Sequence, residues 1–283
     1  FTLNLLRCLS EAKVRNHVMG AGKMPAISLS RHCQNYVTCD PREFDKPTES
    51  FVRRIKDYCA KEKIDVILAA NMRSSFLLSR IKNEVSVNGT VVFPIADWNE
   101  LQLLHNKWSF ARLLTDNDIP IPETRILEKA DQLKDLRLDF PLVVKPIDRG
   151  NKLGVKVLSS KEELLSHLAS EKDGSQLPLL LQEYIPGMDI DLNLLAEKGV
   201  VRAWSIQKWV NDQTLEFIEH EGILDIGKKI AAASNYTGVA HFDMRLDSRD
   251  GSVKVIECDP RFWGSIRASL WNGINFVEAG IKI

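Results

Sequence analysis

The sequence has no C-x-x-C pair and only five cysteines, Cys8, Cys33, Cys39, Cys59 and Cys258. An odd, scattered set argues against a disulfide framework and against a thiolate zinc site, and a reducing cytoplasm fits it best. Net charge is missing too: 38 basic residues stand against 38 acidic ones, so no overall field draws nucleic acid or an anionic membrane. No apolar run approaches the roughly 20 residues that span a bilayer, and no basic segment followed by an apolar one opens the chain. Repeats and low-complexity tracts do not occur. What is left is 44% hydrophobic and 27% charged residues over 283 positions, enough for one large or two ordinary globular domains with a real core. Phe1 already stands in a helical pattern with Leu3, Leu5, Leu6 and Leu9, and the chain stops at Ile283 soon after an apolar segment begins. Further residues are therefore expected at both ends.

Up to about Pro94, short apolar strands (His17 to Met19, Ile64 to Ala69, Val91 to Phe93) alternate with amphipathic helices such as Ser50 to Glu62. That alternation predicts a parallel α/β unit. Gly20-Ala21-Gly22-Lys23 is a turn rather than a phosphate loop, because Met24 and Pro25 break both glycine-rich fingerprints. A helix is predicted from Trp98 to Asn117, with Lys107 off its apolar stripe; a lone lysine there reads as a solvated face residue. Ile119-Pro120-Ile121-Pro122 follows as an extended connector and the best domain boundary.

Beyond it, Leu142 to Pro146 is a short buried strand with Lys145 near its end, followed by Asp148 to Gly154 and a second strand, Val155 to Leu158. Two glycines and two cations between strands suit a flap over phosphates, and equally a plain hairpin loop. Ser160 and Glu163 form a capping box for a helix bearing Leu164, Leu165 and Leu168 on one face. Leu179 to Ile185 is a buried strand, and Met188 to Leu194, Ala203 to Val210 and a helix from Ile223 to Ser234 come next. Trp204, Trp209, Trp263 and Trp271 read as core packing, and Gly264 to Arg267 as a helix start, with a pocket wall as the alternative.

The densest chemistry lies between Gly238 and Arg261. Two alternating runs flank Asp247-Ser248-Arg249-Asp250-Gly251, which predicts an antiparallel hairpin. Period 2 puts Asp243 with His241 and Arg245, and Glu257 and Asp259 with Val253 and Val255. In a register without a bulge, pairing Asp243 with an odd-numbered partner places all three acids on one side. Opposed like charges destabilise a ladder. A hard divalent cation would compensate, and so would solvent with Arg245 and Arg261 as ion partners. Cys258 points to the opposite face.

These pieces in this order closely resemble the ATP-grasp superfamily, in its carbamoyl-phosphate-synthase-like and carboxylate-amine ligase branch. They are Lys107 on a connecting helix, Val144-Lys145-Pro146 before a glycine-containing loop, Gln182 to Gly187 with an acid two residues on, and Ile256-Glu257-Cys258-Asp259-Pro260-Arg261. The resemblance runs from about Asn106 to the C-terminus. It implies an ATP-grasp fold, two α+β lobes sandwiching ATP, preceded by a small parallel α/β domain. The division would be 1–97 for that domain, lacking its first strand; 98–122 for a connecting helix and linker; 123–184 for a small lobe with the phosphate flap; and 185–283 for a large, incomplete lobe with a metal-binding hairpin.

By the same resemblance, Lys107 and Lys145 hold the α- and β-phosphates, and Gly150 and Gly154 belong to the flap. Gln182 faces the adenine amino group, the backbone of Glu183 and Ile185 pairs with the adenine edge, and Asp189 binds ribose. Asp243, Glu257 and Asp259 hold magnesium, with manganese as an alternative, and Arg261 stands by the transferred phosphate. Two departures stand out: Asn151, Lys152 and Leu153 where small flap residues are usual, and Asp259 where Asn is commoner. The implied activity is an ATP-dependent ligase that activates a carboxylate as an acyl phosphate and joins it to an amine, both small molecules. Its alternatives are a carbamoyl-phosphate-synthase-like phosphotransferase acting on bicarbonate or carbamate, and a nucleotide-binding module without catalysis. No nucleic acid or membrane partner is expected, and a homodimer is left open.

Overall fold

The computed structural model describes residues 2–134, 137, 139–147, 154–169, 177–211 and 214–283. Its first part runs α1 (Thr2–Glu11), β1 (His17–Ala21), α2 (Pro25–Ser28), β2 (Asn35–Cys39), α3 (Pro41–Asp45), α4 (Glu49–Glu62), β3 (Val66–Ile67), α5 (Met72–Val85) and β4 (Val91–Val92). β1 pairs with β2 and β3 with β4, both in parallel, as the alternation of strands and helices predicts. Thr48 caps α4 by accepting from Phe51 N at 3.2 Å, and Lys63, at φ 55°, ends it in the left-handed conformation. Phe51, Val52 and Ile55 then pack on Leu77, Leu78 and Ile81 of α5. Gly20 and Ala21 belong to β1, so the turn expected there begins only at Gly22, at φ 87°.

The long helix expected over 98–117 is two helices, α6 (Trp98–His105) and α7 (Lys107–Asp116). Asn106 causes the break. Its Oδ1 accepts from Trp108 N (3.1 Å) and Ser109 N (3.0 Å), which starts a new helix one residue on. Lys107 therefore sits at the first position of α7 and is only 8% exposed, not on a solvated face.

Next come β5 (Thr124–Leu127), a 3₁₀ turn (Ala130–Lys134), β6 (Leu142–Pro146), β7 (Lys156–Leu158), α8 (Lys161–Ala169) and β8 (Leu179–Glu183). The strands form an antiparallel sheet in the order β5-β8-β6-β7. One face carries Leu142, Val144, Leu179 and Leu181 into a core shared with Leu127 and with Leu164 of α8. Leu165 points outward at 50% exposure, so the helix buries a narrower stripe than expected. The other face of the sheet presents Lys145 and Gln182, one residue out of phase with those leucines.

The rest is β9 (Gly187–Glu197), β10 (Val200–Asn211), β11 (Thr214–Ile218), α9 (Glu221–Ala233), β12 (Gly238–Asp247), β13 (Val253–Asp259), α10 (Ile266–Trp271) and α11 (Phe276–Ile281). The five strands make an antiparallel sheet, β11-β10-β9-β12-β13. Its even face on β9, Ile190, Leu192, Leu194 and Ala196, packs with Leu101, Leu104, Phe110, Ile223 and Ile230. Toward one end the opposite face is covered by Trp263, Phe276 and the α1 residues Leu5, Leu6 and Leu9. Of the four tryptophans expected in the core only Trp263 is fully buried; Trp204 and Trp271 are exposed. Ser265 does not cap α10 with its side chain, which donates instead to Gln207 Oε1 at 2.7 Å. Among the described residues no helix is long and apolar enough to cross a membrane.

β9 begins where backbones meet closely. Gly187 has φ 137°, and a Cβ there would lie 1.9 Å from the carbonyl oxygen of Leu246. Gly187→Ala is expected to cost at least about 2 kcal/mol, combining backbone strain with a clash against a ladder carbonyl. Urea unfolding measures it; a wild-type midpoint would refute the close approach.

Candidate active site

β12 and β13 pair His241 with Asp259 and Asp243 with Glu257, then slip by one residue, so that Met244 faces Val255 and Ile256 is the extra residue of a bulge. The slip corrects the strict alternation expected from the sequence. Val253, Val255 and Cys258 all turn into the core with Phe242 and Met244. Glu257 and Asp259 lie on the opposite face, with His241 and Asp243, rather than with the two valines. All three acids still share one side, because the bulge falls outside the paired stretches 241–243 and 257–259. Cys258 packs inward as the pleat predicts.

On the other edge of β12, β9 adds Asp191 opposite Asp243 and Asn193 opposite His241. His241 lies between two acceptors: Nδ1 is 2.7 Å from Asn193 Oδ1 and Nε2 is 3.1 Å from Asp243 Oδ1. Burial alone would lower its pKa, but the bond and charge of Asp243 outweigh burial and raise it. Asp243 is correspondingly lowered: burial acts against ionisation, and His241 overcomes it. Asp191, buried and accepting from Trp209 Nε1 at 2.7 Å, is pushed up to about 6 by burial and by the Asp243 charge. One ligand atom from each of Asp191, His241 and Asp243 falls within 4.8 Å of the others, close enough to share a cation. Asp191 is not among the site residues expected from the sequence. Its signal was the alternation Asp189-x-Asp191-x-Asn193, which puts three polar side chains on one face of a strand whose other face is wholly apolar.

Two lysines approach these acids. Lys107 Nζ is 3.2 Å from Glu257 Oε2. Lys145, 2% exposed, donates to Gln182 Oε1 at 2.9 Å, and Gln182 Nε2 donates to Thr124 Oγ1 at 2.9 Å. Burial drives the Lys145 ammonium down to about 8, with Lys107 adding repulsion, while Glu257 and Asp243 act in the opposite sense. Burial also raises Glu257, aided by Asp243 and resisted by the two lysines. Asp259 accepts from Arg261 Nη2 at 2.6 Å, and Arg261 Nη1 donates to Phe262 O at 2.9 Å.

The segment leaving β8 is tied to the tip of the same hairpin. Arg249 Nη2 donates to Glu183 Oε1 (2.6 Å) and to Asp247 Oδ2 (2.5 Å), and Ser248 N donates to Pro186 O (2.9 Å). Glu183 N donates to Glu123 O at 2.8 Å, and Ile185 is buried. Asp189 pairs with Arg245, Oδ1 to Nη1 at 3.0 Å. Gly154 is described, at φ 78°, with Pro146 close to where its Cβ would be. Gly150 and the flap residues Asp148 to Leu153 lie outside the described residues. Lys107, Lys145, Asp243, Glu257 and, through Lys145, Gln182 are thus brought into one group; Asp259 and Arg261 border it, and Glu183 and Asp189 lie toward the hairpin tip.

Two family models match: a RimK-like ATP-grasp domain over residues 104–203 and an ATP-grasp described as belonging to the biosynthetic pathway with Ter operon over 175–283. Among curated proteins, a D-aspartate ligase of Enterococcus faecium is 27% identical over 267 residues, 83% of this chain and 63% of that protein. A D-alanine–D-alanine ligase of Wolbachia pipientis wMel is 27% identical over 196 residues, 61% of this chain and 62% of that protein. The chain therefore spans a little under two thirds of the length of these two relatives. Among solved structures, an L-amino acid ligase from Bacillus licheniformis superposes with a TM-score of 0.72 at 18% identity, over 98% of this chain and 70% of that one. The biotin carboxylase domain of a Hydrogenobacter thermophilus 2-oxoglutarate carboxylase, solved with magnesium ADP, gives 0.72 at 16%, over 99% and 66%.

The state of Lys145 can be read without any ligand. A lysine whose folded pKa lies below its unfolded value costs stability while both states are charged, and the cost fades as pH rises from the folded to the unfolded pKa. From 10.5 down to about 8, at about 1.4 kcal/mol per tenfold change in proton affinity, the cost at pH 7 is up to about 3 kcal/mol. Lys145→Met is expected to raise the urea midpoint of the nucleotide-free protein at pH 7 and to lose that advantage toward pH 10. A midpoint unchanged or lowered at pH 7 refutes the desolvated lysine.

Proposed function

Because the chain belongs to the ATP-grasp superfamily, we propose that it is an ATP- and magnesium-dependent ligase that activates a carboxylate as an acyl phosphate and joins it to an amine. The observation that carries this reading is Lys145, an ammonium kept almost wholly from water beside Lys107, Asp243 and Glu257. Burying such a charge is expensive without a strong counter-charge. Triphosphate oxygens are that counter-charge, with Lys107 and Lys145 as the two cations on them.

Asp243, Glu257 and Asp259 offer on one strand face hard carboxylate oxygens of the kind magnesium takes, while the ligand atoms gathered most closely are those of Asp191, His241 and Asp243. When bound there, the ion neutralises charge on the phosphate oxygens and so eases attack by an anion. Gln182 and the backbone of Glu183 and Ile185 take the adenine edge, and Asp189 the ribose. Gly154, with Gly150, belongs to the flap over the triphosphate. The acyl phosphate must be kept from water until the amine attacks.

In the first step a substrate carboxylate oxygen bonds to the γ-phosphorus and the bond from phosphorus to the β–γ bridging oxygen breaks, its electron pair leaving on ADP. In the second, an amine bonds to the acyl carbon, the carbon–oxygen bond to phosphate breaks, and inorganic phosphate and a proton leave. Arg261 stabilises charge on the phosphoryl group and on the tetrahedral species. No protein nucleophile takes part.

A bicarbonate- or carbamate-phosphorylating activity is the second reading. It is favoured by 26% identity to a carbamoyl phosphate synthase large chain of Clostridium perfringens, over 86% of this chain and 24% of that one. Screening amino-acid pairs and bicarbonate for ADP and phosphate release, with mass spectrometry of the products, separates the two. Glu257→Gln and Lys145→Ala are each expected to abolish turnover with the circular dichroism of the wild type retained. Near-normal turnover in both overturns the site, and AMP with pyrophosphate overturns the acyl-phosphate route.

A further inference from the structure

Away from the acidic face, α1, the loop after α2 and α10 enclose a cavity of about 610 Å³ lined by Arg7, Glu11, Arg31, His32, Arg267 and Trp271 among others. Three arginines from three separate segments line it, with one carboxylate, Glu11. The chain as a whole is neutral, so this is a local concentration of charge and not part of a generally basic surface.

Each arginine is oriented by a neutral neighbour. Arg7 Nη1 donates to Asn4 Oδ1 at 3.4 Å, and Arg31 Nε donates to His32 Nε2 at 3.4 Å. His32 is itself held by Ser10, Nδ1 to Oγ at 2.9 Å. Arg267 lies over the Trp271 ring, its guanidinium carbon 4.6 Å from the centroid. Ion pairs elsewhere on the surface couple Arg42, Arg54, Arg73, Arg125, Arg202 and Arg249 to carboxylates. Among the described residues none pairs Arg7, Arg31 or Arg267, although Glu11 lines the same cavity.

Stacking leaves the in-plane N–H groups of Arg267 directed outward, the geometry that binds carboxylate or phosphate oxygens in pairs. A guanidinium held by neutral contacts keeps its full charge for a ligand and has already lost part of its side-chain freedom. Trp271, 71% exposed, is a large apolar plate beside these cations on which the apolar part of a ligand can pack.

We propose that this cavity is a second binding site, separate from the acidic face, for a small multivalent oxyanion. Phosphate esters and polycarboxylates share that chemistry, and the two are told apart by probe. The site stands independently of the ligase reading, because its test uses neither ATP nor turnover.

Isothermal titration of the full chain at low ionic strength, without magnesium, uses inorganic pyrophosphate in one arm and citrate in the other. The wild type is expected to bind at least one; pyrophosphate alone marks a phosphate-ester site, citrate alone a polycarboxylate site, and both a site that reads charge. Arg7→Gln combined with Arg267→Gln is expected to weaken that binding about tenfold or more, as the loss of charge-assisted hydrogen bonds predicts. Arg31→Gln, on a loop, is expected to weaken it as well and serves alone should the double variant not fold. The titrations are repeated in a Lys145→Ala background, which removes the lysine placed on the triphosphate, and the arginine substitutions are expected to weaken binding there by the same factor. The proposal is overturned if the wild type binds neither probe, if the arginine variants bind as the wild type does, or if the arginine substitutions have no effect in the Lys145→Ala background.

Discussion

The acidic face exists because β13 holds one residue more than the strand beside it. With strict alternation Glu257 would lie on the same side as Val255, a residue with no exposure at all, and its carboxylate would enter the core among Phe242 and Met244. The bulge at Ile256 turns the strand by one position, so the valines stay inside and the acids emerge on the other face. Every other part of the site is arranged around that switch. β9 brings Asp191 and Asn193 to the same face by its own unbroken alternation, and α7 and β6 deliver lysines to it from outside the sheet.

The face is held in electrostatic balance by groups that arrive from distant points of the chain. Asp243 lies between burial, which would raise its pKa, and His241, which with Lys145 lowers it. Glu257 is raised by burial while Lys107 and Lys145 pull it back. Lys107 reaches this position only because Asn106 ends one helix and caps the next. Were α6 and α7 one helix, the same lysine would follow the helical stripe into solvent. A side-chain hydrogen bond worth about 1 kcal/mol thus decides where a cation sits.

The two sheets are joined through a short run after β8, and that run is fastened to the hairpin that carries the acids. Arg249, held by Asp247, reaches Glu183; Arg245 holds both Asp189 and the carbonyl of Gly187. Gly187 is where this fastening becomes tightest, since only a residue without Cβ lets the strand pass the carbonyl of Leu246. The run after β8 and the acidic face are therefore tied through the same hairpin.

Much of this could be read from the residues alone. Short apolar runs located β6 and β8, period-2 runs located β9, β12 and β13, and the order of Lys107, Lys145, Gln182 and the Glu-Cys-Asp-Pro-Arg run pointed to the ATP-grasp superfamily, because local patterns and short motifs are written in consecutive residues. Less local features escaped. β2 and β11 are half-exposed strands with weak alternation, α5 carries serines among its buried positions, and Asp191 looked like any polar residue on a strand until β12 was placed beside it. The sequence by itself determined which side chains alternate and which chemistry the chain carries. Only the tertiary structure decided that the acids face away from the valines, that Lys107 is buried, and that Asp191 and His241 join Asp243. Each of these depends on a register slip, a side-chain cap or a strand pairing, and none of those can be placed by periodicity alone.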